Sequence, residues 1–357
     1  MAIPARAALC YLEFSPEPLI MLSLMRLKRW IGRAYLGLPG WRGALRRRGF
    51  VLVLHRVMEN DAEAAWPHCS PLCMSKQAFE HLLRWLRQHF DCVPLESLLE
   101  SPIGGERPRM ALTFDDGWRD NAELAFPLLQ HHEFPASIFL STDFVHDDRH
   151  PPRCFWWEAI GKVFWQTPQS PVARRVCDAL RSCDAPVPPL LLSSEASERR
   201  SLAIARYLRG LATLSPEKLE SIAALTPAPL QPITLDWTQV RALEDSGLVR
   251  FGPHGARHAI LTRLDADLLP RELARSHAAL RARCRHPLPV YCYPNGDHDD
   301  KVRAAVAALG YRYALTARRG LIGVDSDPMA LPRINVSYAS TGLLAQIAWY
   351  LLRSAWT

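Results

Sequence analysis

The residues of this sequence best equipped for chemistry gather in two short stretches. In MALTFDDGWRDN (110–121), an apolar run from Met110 to Phe114 ends at two adjacent carboxylates, Asp115 and Asp116, with Gly117 directly behind them. In LVRFGPHGARH (248–258), a second apolar run delivers His254 and His258, four residues apart. That spacing sets two imidazoles on one side of a helical turn. Two histidines and a carboxylate form a common zinc set with one position open for water, which points to metal-assisted hydrolysis. Asp-Asp-Gly by itself is equally a plain turn; the second stretch makes it a candidate site. Neighbouring side chains on an extended strand point to opposite sides. The first strand must therefore stop at the Asp pair for both acids to reach one cleft, and Gly117 supplies the permissive backbone of that turn.

The elements around these stretches are those of a parallel α/β fold. Asp120 and Asn121 offer caps for a helix over ELAFPLLQHH, and ASIFLS follows as a strand. The unit is βαβ, with the acids at the carboxyl end of its first strand, where parallel sheets carry their function. Upstream, FVLVL (50–54) reads as a buried strand with His55 just past its end. Ser75 starts a helix whose Phe79, Leu82, Leu83 and Leu86 keep helical spacing. DCVP and ESLLE give a short strand and helix. Downstream, DWTQVRALEDS is a helix closed by Gly247, KVRAAVAAL closes at Gly310 and feeds the strand YRYALT, LPRINV is a late strand, and IAWYLLRSAW is a final helix that either packs on the barrel or touches membrane. This alternation predicts a barrel-like α/β fold. Between 146 and 235 the pattern changes to proline-punctuated helices without strands.

Composition narrows the class. With 357 residues and 48% hydrophobic content the chain is globular, and its apolar runs, PLIMLSLM and GLLAQIAWYLL, fall short of the roughly 18 residues of a spanning helix. The net charge of +7 is local. Residues 26–48 carry Arg26, Lys28, Arg29, Arg33, Arg42, Arg46, Arg47 and Arg48 and no acid, and residues 49–357 sum to zero. A nucleic-acid protein carries its basic patch on the folded domain, so no nucleic-acid partner is expected. DNA binding that is steeply salt-dependent and survives deletion of 1–48 would reverse that reading. In 26–48 the charges interleave with Leu27, Trp30, Ile31, Tyr35, Leu36, Leu38 and Trp41. The pattern suits either a helix on an anionic membrane surface or a solvated basic arm. Nine cysteines, odd in number and mostly isolated, favour a reducing compartment. The basic cluster follows the first apolar run, the reverse of a secretory signal. The expected location is the cytoplasm, with peripheral contact to the cytoplasmic face of the membrane through 26–48.

The two stretches resemble the polysaccharide deacetylases of the NodB-homology type, carbohydrate esterase family 4. The family's T-F-D-D-G matches Thr113–Gly117 at every position, and its H-[ST]-x-x-H matches His254 and His258, with Gly255 where a hydroxyl is usual. YCYPNGDHDD (291–300) looks like the Y-P-x-G variant of the third motif, and VLHRV (53–57) and LPRINV (331–336) add weaker similarity. The resemblance implies a distorted (β/α) barrel of the NodB/polysaccharide deacetylase type with a helical insertion. Its parts would be a basic N-terminal arm (1–48), a first barrel portion (49–145), the insertion (146–235), a second barrel portion (236–340) and a C-terminal helix (341–357). The insertion binds an acceptor chain, forms a lid or merely packs on the barrel flank, and Phe155, Trp156 and Trp157 within it are either sugar platforms or core.

By the same resemblance the metal ligands are Asp116, His254 and His258, the ion is a divalent metal, zinc first, and Asp115 is the base. The backbone N–H of Asn295, after Pro294, would hold the oxyanion. Two departures follow. The family's arginine that steadies the catalytic Asp aligns with Cys292, leaving Arg333 to take over from another strand. The family's C-terminal acid is missing, because no histidine follows His298, so His55 and then His298 are the candidates to protonate the leaving amine. The implied activity is removal of an N-acetyl or other acyl group from an amino sugar of a glycan, with lipid-linked or nucleotide-linked precursors favoured by a cytosolic, membrane-attached location. The alternative is a catalytically silent carbohydrate-binding or scaffold protein on the same fold, which would hold metal and release no acetate.

Overall fold

The computed structural model describes residues 18–355, apart from 46, 61, 63–65, 67, 70, 103–104, 148–149 and 338–342. Among these, ten strands follow in chain order: β1 Phe50–Leu54, β2 Arg56–Met58, β3 Cys73–Ser75, β4 Asp91–Cys92, β5 Arg109–Phe114, β6 Ala136–Leu140, β7 Val249–Pro253, β8 Val290–Cys292, β9 Tyr313–Leu315 and β10 Ile334–Asn335. The main sheet runs β10-β1-β5-β6-β7 with β4 alongside β5, every pair parallel. Beyond β7 the ring continues through isolated contacts and one short ladder. Leu288 N–H donates to the Phe251 carbonyl at 2.8 Å, β8 pairs with β9, and Leu315 bridges Leu331 just ahead of β10. The result is a parallel barrel whose wall is a full ladder on one side and a broken one on the other.

Period-two alternation sorts its side chains. Val51, Ala111, Phe139, Val290, Cys292 and Leu315 pack together inside the ring, while Leu52, Leu54, Met110, Leu112, Phe114 and Ile138 face the surrounding helices. Both faces are apolar because a parallel sheet is covered on both sides. The interior is full: a Cβ on Gly252 would lie 2.6 Å from the Phe139 ring and 2.9 Å from the Val290 carbonyl oxygen. Residues 111 and 113 face inward, so 115 continues that parity, and the first acid emerges over the barrel mouth.

The helices follow the expected stripes, with two corrections. Ser75 caps Lys76–His89 by accepting from the Ala78 N–H, and Phe79, Leu82, Leu83 and Leu86 are buried. Asp120, expected as a cap, does not cap. Its carboxylate takes the Arg56 Nε–H at 2.9 Å and the Val57 N–H at 3.0 Å, and the chain enters Phe126–His131 through a π turn at Asn121–Ala125. Pulling Asp120 toward Arg56 and Val57 ties the acidic turn to β2, directly after the first strand. The second correction concerns the basic stretch. Pro18–Leu36 is a helix packed on the C-terminal helix Leu343–Ala355, so closely that a Cβ on Gly32 would collide with the Ala345 carbonyl oxygen. Tyr35 and Trp41, read as part of an apolar outer face, are core residues, 6% and 8% exposed, with Trp41 stacked on Trp85. Residues 1–17 of that arm lie outside the described residues. No helix among the described residues is long and apolar enough to cross a membrane.

The segment after β6 forms four helices, Trp156–Gln166, Pro171–Arg181, Glu198–Leu211 and Pro216–Ala223. They share a core of their own, including Ile160, Phe164, Leu180, Ile204 and Leu219. The buried Arg200 donates to the Phe164 and Trp165 carbonyls, satisfying the open end of the first of these helices.

Candidate metal centre

The acids reach one cleft because the backbone reverses at the strand end. β5 stops at Phe114, and Asp116 takes φ +74° with Gly117 at +79°, a left-handed pair that swings the second carboxylate back beside the first. Asp tolerates this region better than most residues. The histidines arrive differently from the expected helical turn. Residues 254–259 form an irregular loop in which Gly255 takes φ +76° and His258 φ +56°. Glu272, buried on the helix Leu268–Arg283, braces the loop by accepting the Ala256 and Arg257 N–H groups at 2.8 and 2.7 Å. A Cβ at Gly255 would stand 3.2 Å from that carboxylate; the left-handed backbone and Glu272 together account for glycine at this position.

Asp116, His254 and His258 meet in space. Their ligand atoms all lie within 4.8 Å of one another, and Asp116 Oδ1 is 3.3 Å from His258 Nε2 and 3.6 Å from His254 Nε2. Atoms sharing one tetrahedral ion at bonds of about 2.1 Å stand roughly 3.4 Å apart. Asp116 Oδ1 is buried with no hydrogen-bond partner, so the ring nitrogens face it at these distances without hydrogen-bond geometry. A buried, orphaned carboxylate oxygen facing two imidazole nitrogens is what a divalent cation would satisfy, and the residues fit such an ion.

The surroundings fix each ligand's state. His254 Nδ1 lies 2.9 Å from the Cys292 carbonyl oxygen, so the proton sits on Nδ1 and the Nε2 lone pair is free. Burial pushes this imidazole down to about 4, against the pull of Asp115, and keeps it neutral. Burial opposes ionisation of Asp116, but His258, His55 and His254 override it and hold the carboxyl well below the usual range. Its other oxygen, Oδ2, accepts the Trp118 indole N–H at 2.9 Å. Trp118 is fully buried under the Arg56 guanidinium, 4.4 Å from its ring.

Asp115 is held apart from the ligand set. Arg333 binds it bidentately, Nη1 to Oδ1 at 2.8 Å and Nη2 to Oδ2 at 2.7 Å, and also donates to the Thr316 carbonyl at 3.0 Å. Burial works to raise the Asp115 carboxyl; Arg333, with His254 and His55 behind it, outweighs burial and holds it down at about 2. Cys292 Sγ stands 3.6 Å from both Asp115 oxygens and 3.1 Å from Arg333 Nη2, and burial pushes its thiol well above the ordinary value. Asp115, His254 and Cys292 also lie close enough to share an ion. That set is disfavoured, because the guanidinium already covers both Asp115 oxygens and the thiol stays protonated.

His55 Nδ1 is buried without a partner, and its ring is near enough to both acids to favour their charge. His298 is engaged elsewhere, its Nδ1 3.0 Å from the Gly296 carbonyl oxygen and its ring stacked on Tyr293. Asn295 takes φ +57°. The hydrogen bonds of its turn, Gly296 N–H to Tyr293 and Asp297 N–H to Pro294, leave the Asn295 N–H uninvolved. His258 and Asn295 share the wall of a cavity of about 310 Å³ with Trp156, Trp157 and the 226–229 loop. The aromatic run divides: Phe155 is core against Trp118 and Phe144, whereas Trp156 and Trp157 line the cavity, Trp157 lying 4.8 Å from the His258 ring.

The sequence pattern of the family described as polysaccharide deacetylase matches residues 104–314. The chain belongs to that family. Membership in the polysaccharide deacetylases makes it a hydrolase of carbon–nitrogen bonds, in a family that is generally metal-dependent. Similar solved folds include the Streptococcus pyogenes deacetylase PplD in complex with acetate (14% identity, 86% of this chain and 98% of that one, TM-score 0.54). Others are IcaB from Ammonifex degensii (16%, 85% and 97%, 0.51) and a de-N-acetylase from Aggregatibacter actinomycetemcomitans (14%, 85% and 100%, 0.53). At these identities they establish the barrel. No curated protein matches the sequence.

Two residues of this deacetylase escaped sequence reasoning. Trp118 stands two positions after Asp116, and an indole directly behind an acidic turn was the available signal. Glu272 lies mid-helix and gives none. Trp118→Phe keeps the packing and removes the donor to Asp116, so metal affinity should fall about 10- to 100-fold, as read by competition with a chelating dye.

Acid sensitivity follows from the same burial. His254 is held near 4, below its ordinary 6.5, so between those values the unfolded chain binds a proton that the folded one refuses. Stability is therefore full above 6.5 and lost as pH falls toward 4. Asp115, lowered from 3.8 to about 2, contributes stability above 3.8 that is lost through that lower window. The urea midpoint of metal-free protein should drop between pH 6.5 and 4, and His254→Gln should flatten that first drop.

Proposed function

We propose that this chain is a zinc-dependent de-N-acylase that removes acetyl, or another small acyl group, from an amino sugar of a glycan or glycan precursor. The observation that carries the reading is the orphaned Asp116 oxygen facing two imidazole nitrogens beside a separately held, ionised Asp115. Asp116, His254 and His258 would hold the ion, which supplies Lewis acidity: water becomes a competent nucleophile near neutral pH and an amide carbonyl is polarised. Asp115 takes the proton of the attacking water, and Arg333 fixes its direction while keeping it ionised. The Asn295 N–H faces the oxygen that gains charge, a contact of about 3 kcal/mol in comparable sites. His55 delivers a proton to the departing nitrogen, so the C–N bond breaks to give a free amine and a carboxylate. Trp156 and Trp157 offer apolar faces for the sugar ring.

The free state of all eight described cysteines supports the cytoplasm as the compartment, and with it a lipid-linked or nucleotide-linked precursor as substrate. Incubating purified protein and zinc with N-acetylated oligosaccharides, a lipid-linked amino sugar and a nucleotide-linked one, followed by mass spectrometry, tests the reading. Loss of one acyl group from any of them supports it. Stoichiometric zinc with no acyl loss from all three would replace it with the silent carbohydrate-binding scaffold.

A further inference from the structure

The basic N-terminal stretch takes no part in the chemistry described above, yet its structure is specific. The helix Pro18–Leu36 has one side closed against Leu343–Ala355, where Gly32 and Tyr35 are buried. On the other side Leu27 and Trp30 are 51% and 68% exposed, and Leu38, just past the helix end, is 56% exposed. Positions 27, 30 and 34 follow the i, i+3, i+7 spacing of a single stripe, and Ala34 is exposed as well. Among the described residues, the other exposed large hydrophobics are Leu202, Leu225, Leu230 and Val324, so this stripe is the one place where an indole and two leucines gather outward. Eight basic side chains and no acid occupy the same 26–48 segment, and Arg33, Arg47 and Arg48 are exposed.

We infer that this helix lies flat on an anionic lipid surface, with Leu27, Trp30 and Leu38 seated in the headgroup–acyl boundary and the flanking arginines over lipid phosphates. Charge selects the occupant. A second copy of this chain would bring eight like charges against eight, whereas a bilayer bearing acidic lipids complements them. The apolar stripe supplies the second attachment that a polybasic segment needs for lasting residence. With Arg26, Lys28, Arg29 and Arg33 along it the helix is too charged to cross, so the contact is interfacial. It does not depend on the deacylation chemistry, and its test reads binding alone.

The test is co-sedimentation of full-length protein with vesicles of phosphatidylcholine, alone or with a third of phosphatidylglycerol. Wild type should bind the anionic vesicles, lose binding as salt rises, and show a blue-shifted Trp30 contribution that is absent from Trp30→Ser. Leu27→Ser with Trp30→Ser should weaken binding at least about tenfold. Arg33→Glu with Arg47→Glu should do the same, since each basic residue at such a surface is worth roughly fivefold. Unchanged zinc content and urea midpoints identify variants that remain folded; if the apolar pair misfolds, the charge pair carries the test. Equal binding to both vesicle types, no binding to either, or folded variants that bind like wild type would overturn the inference. So would a dimer that forms in place of vesicle binding and dissociates in Trp30→Ser.

Discussion

Asp115→Asn should lower acyl release by about 10²- to 10⁴-fold while leaving zinc stoichiometric. The carboxylate touches Arg333 and Cys292 and stands outside the Asp116–His254–His258 set, so the amide fills its space and leaves the ion's ligands in place. It removes the proton acceptor and the counter-charge of the buried Arg333, which should lower the urea midpoint as well. A variant that loses zinc together with activity would show Asp115 to be a ligand, and one that keeps full activity would remove it from the reaction. Arg333→Met probes the same contact from the other side. It leaves a fully buried carboxylate without its counter-charge, a change that typically costs 3–5 kcal/mol, and burial is then free to raise the Asp115 pKa. The acid limb of the rate profile should therefore move to higher pH as the urea midpoint falls. An unchanged profile would mean that Arg333 braces the fold alone.

Asp116→Ala should abolish stoichiometric zinc and reduce acyl release to background. The alanine leaves two imidazoles and no anionic ligand, and removes the one carboxylate oxygen that faces both rings. A second readout is independent of turnover. At a zinc concentration about a thousandfold above its Kd, wild type gains roughly 4 kcal/mol of folding stability by mass action, and the variant should gain none. Retention of one zinc per chain in Asp116→Ala would place the ion elsewhere and dismantle the proposed centre.

The two predictions rest on residues with very different visibility in the sequence. Asp115, Asp116, His254 and His258 were legible because strand-terminal acids and paired imidazoles are rare combinations with few other uses. Their convergence has a different geometric cause from the helical turn that the spacing suggests: the 254–258 loop is irregular, and a glutamate sixteen and fifteen positions downstream of the two amides it accepts holds it. No local pattern announces such a brace, because Glu272 looks like any helix-surface acid until the helix is docked. Arg333 comes from the resemblance: the family's arginine that steadies the catalytic Asp aligns with Cys292, a thiol that cannot make a charged contact. The basic N-terminal stretch shows the opposite error. Its interleaved pattern suggests that all its apolar residues face outward, but helical periodicity divides them: Tyr35 joins the core, and Trp41, beyond the helix end, follows it there. Amphipathic spacing alone does not say which of two apolar stripes a neighbouring helix will cover.

Five non-glycine residues among those described adopt a left-handed backbone, and Asp116, His258 and Asn295 are three of them. Each such residue costs of order 1–3 kcal/mol, so the protein concentrates conformational discomfort where it proposes to do chemistry. Glycine at any of the three would relieve that backbone cost, though at 116 it would also remove the buried, ionised carboxylate that accepts the Trp118 indole N–H. At 116 and 258 every such step would also strip a side chain from the centre, setting robustness and reactivity against each other at the same positions.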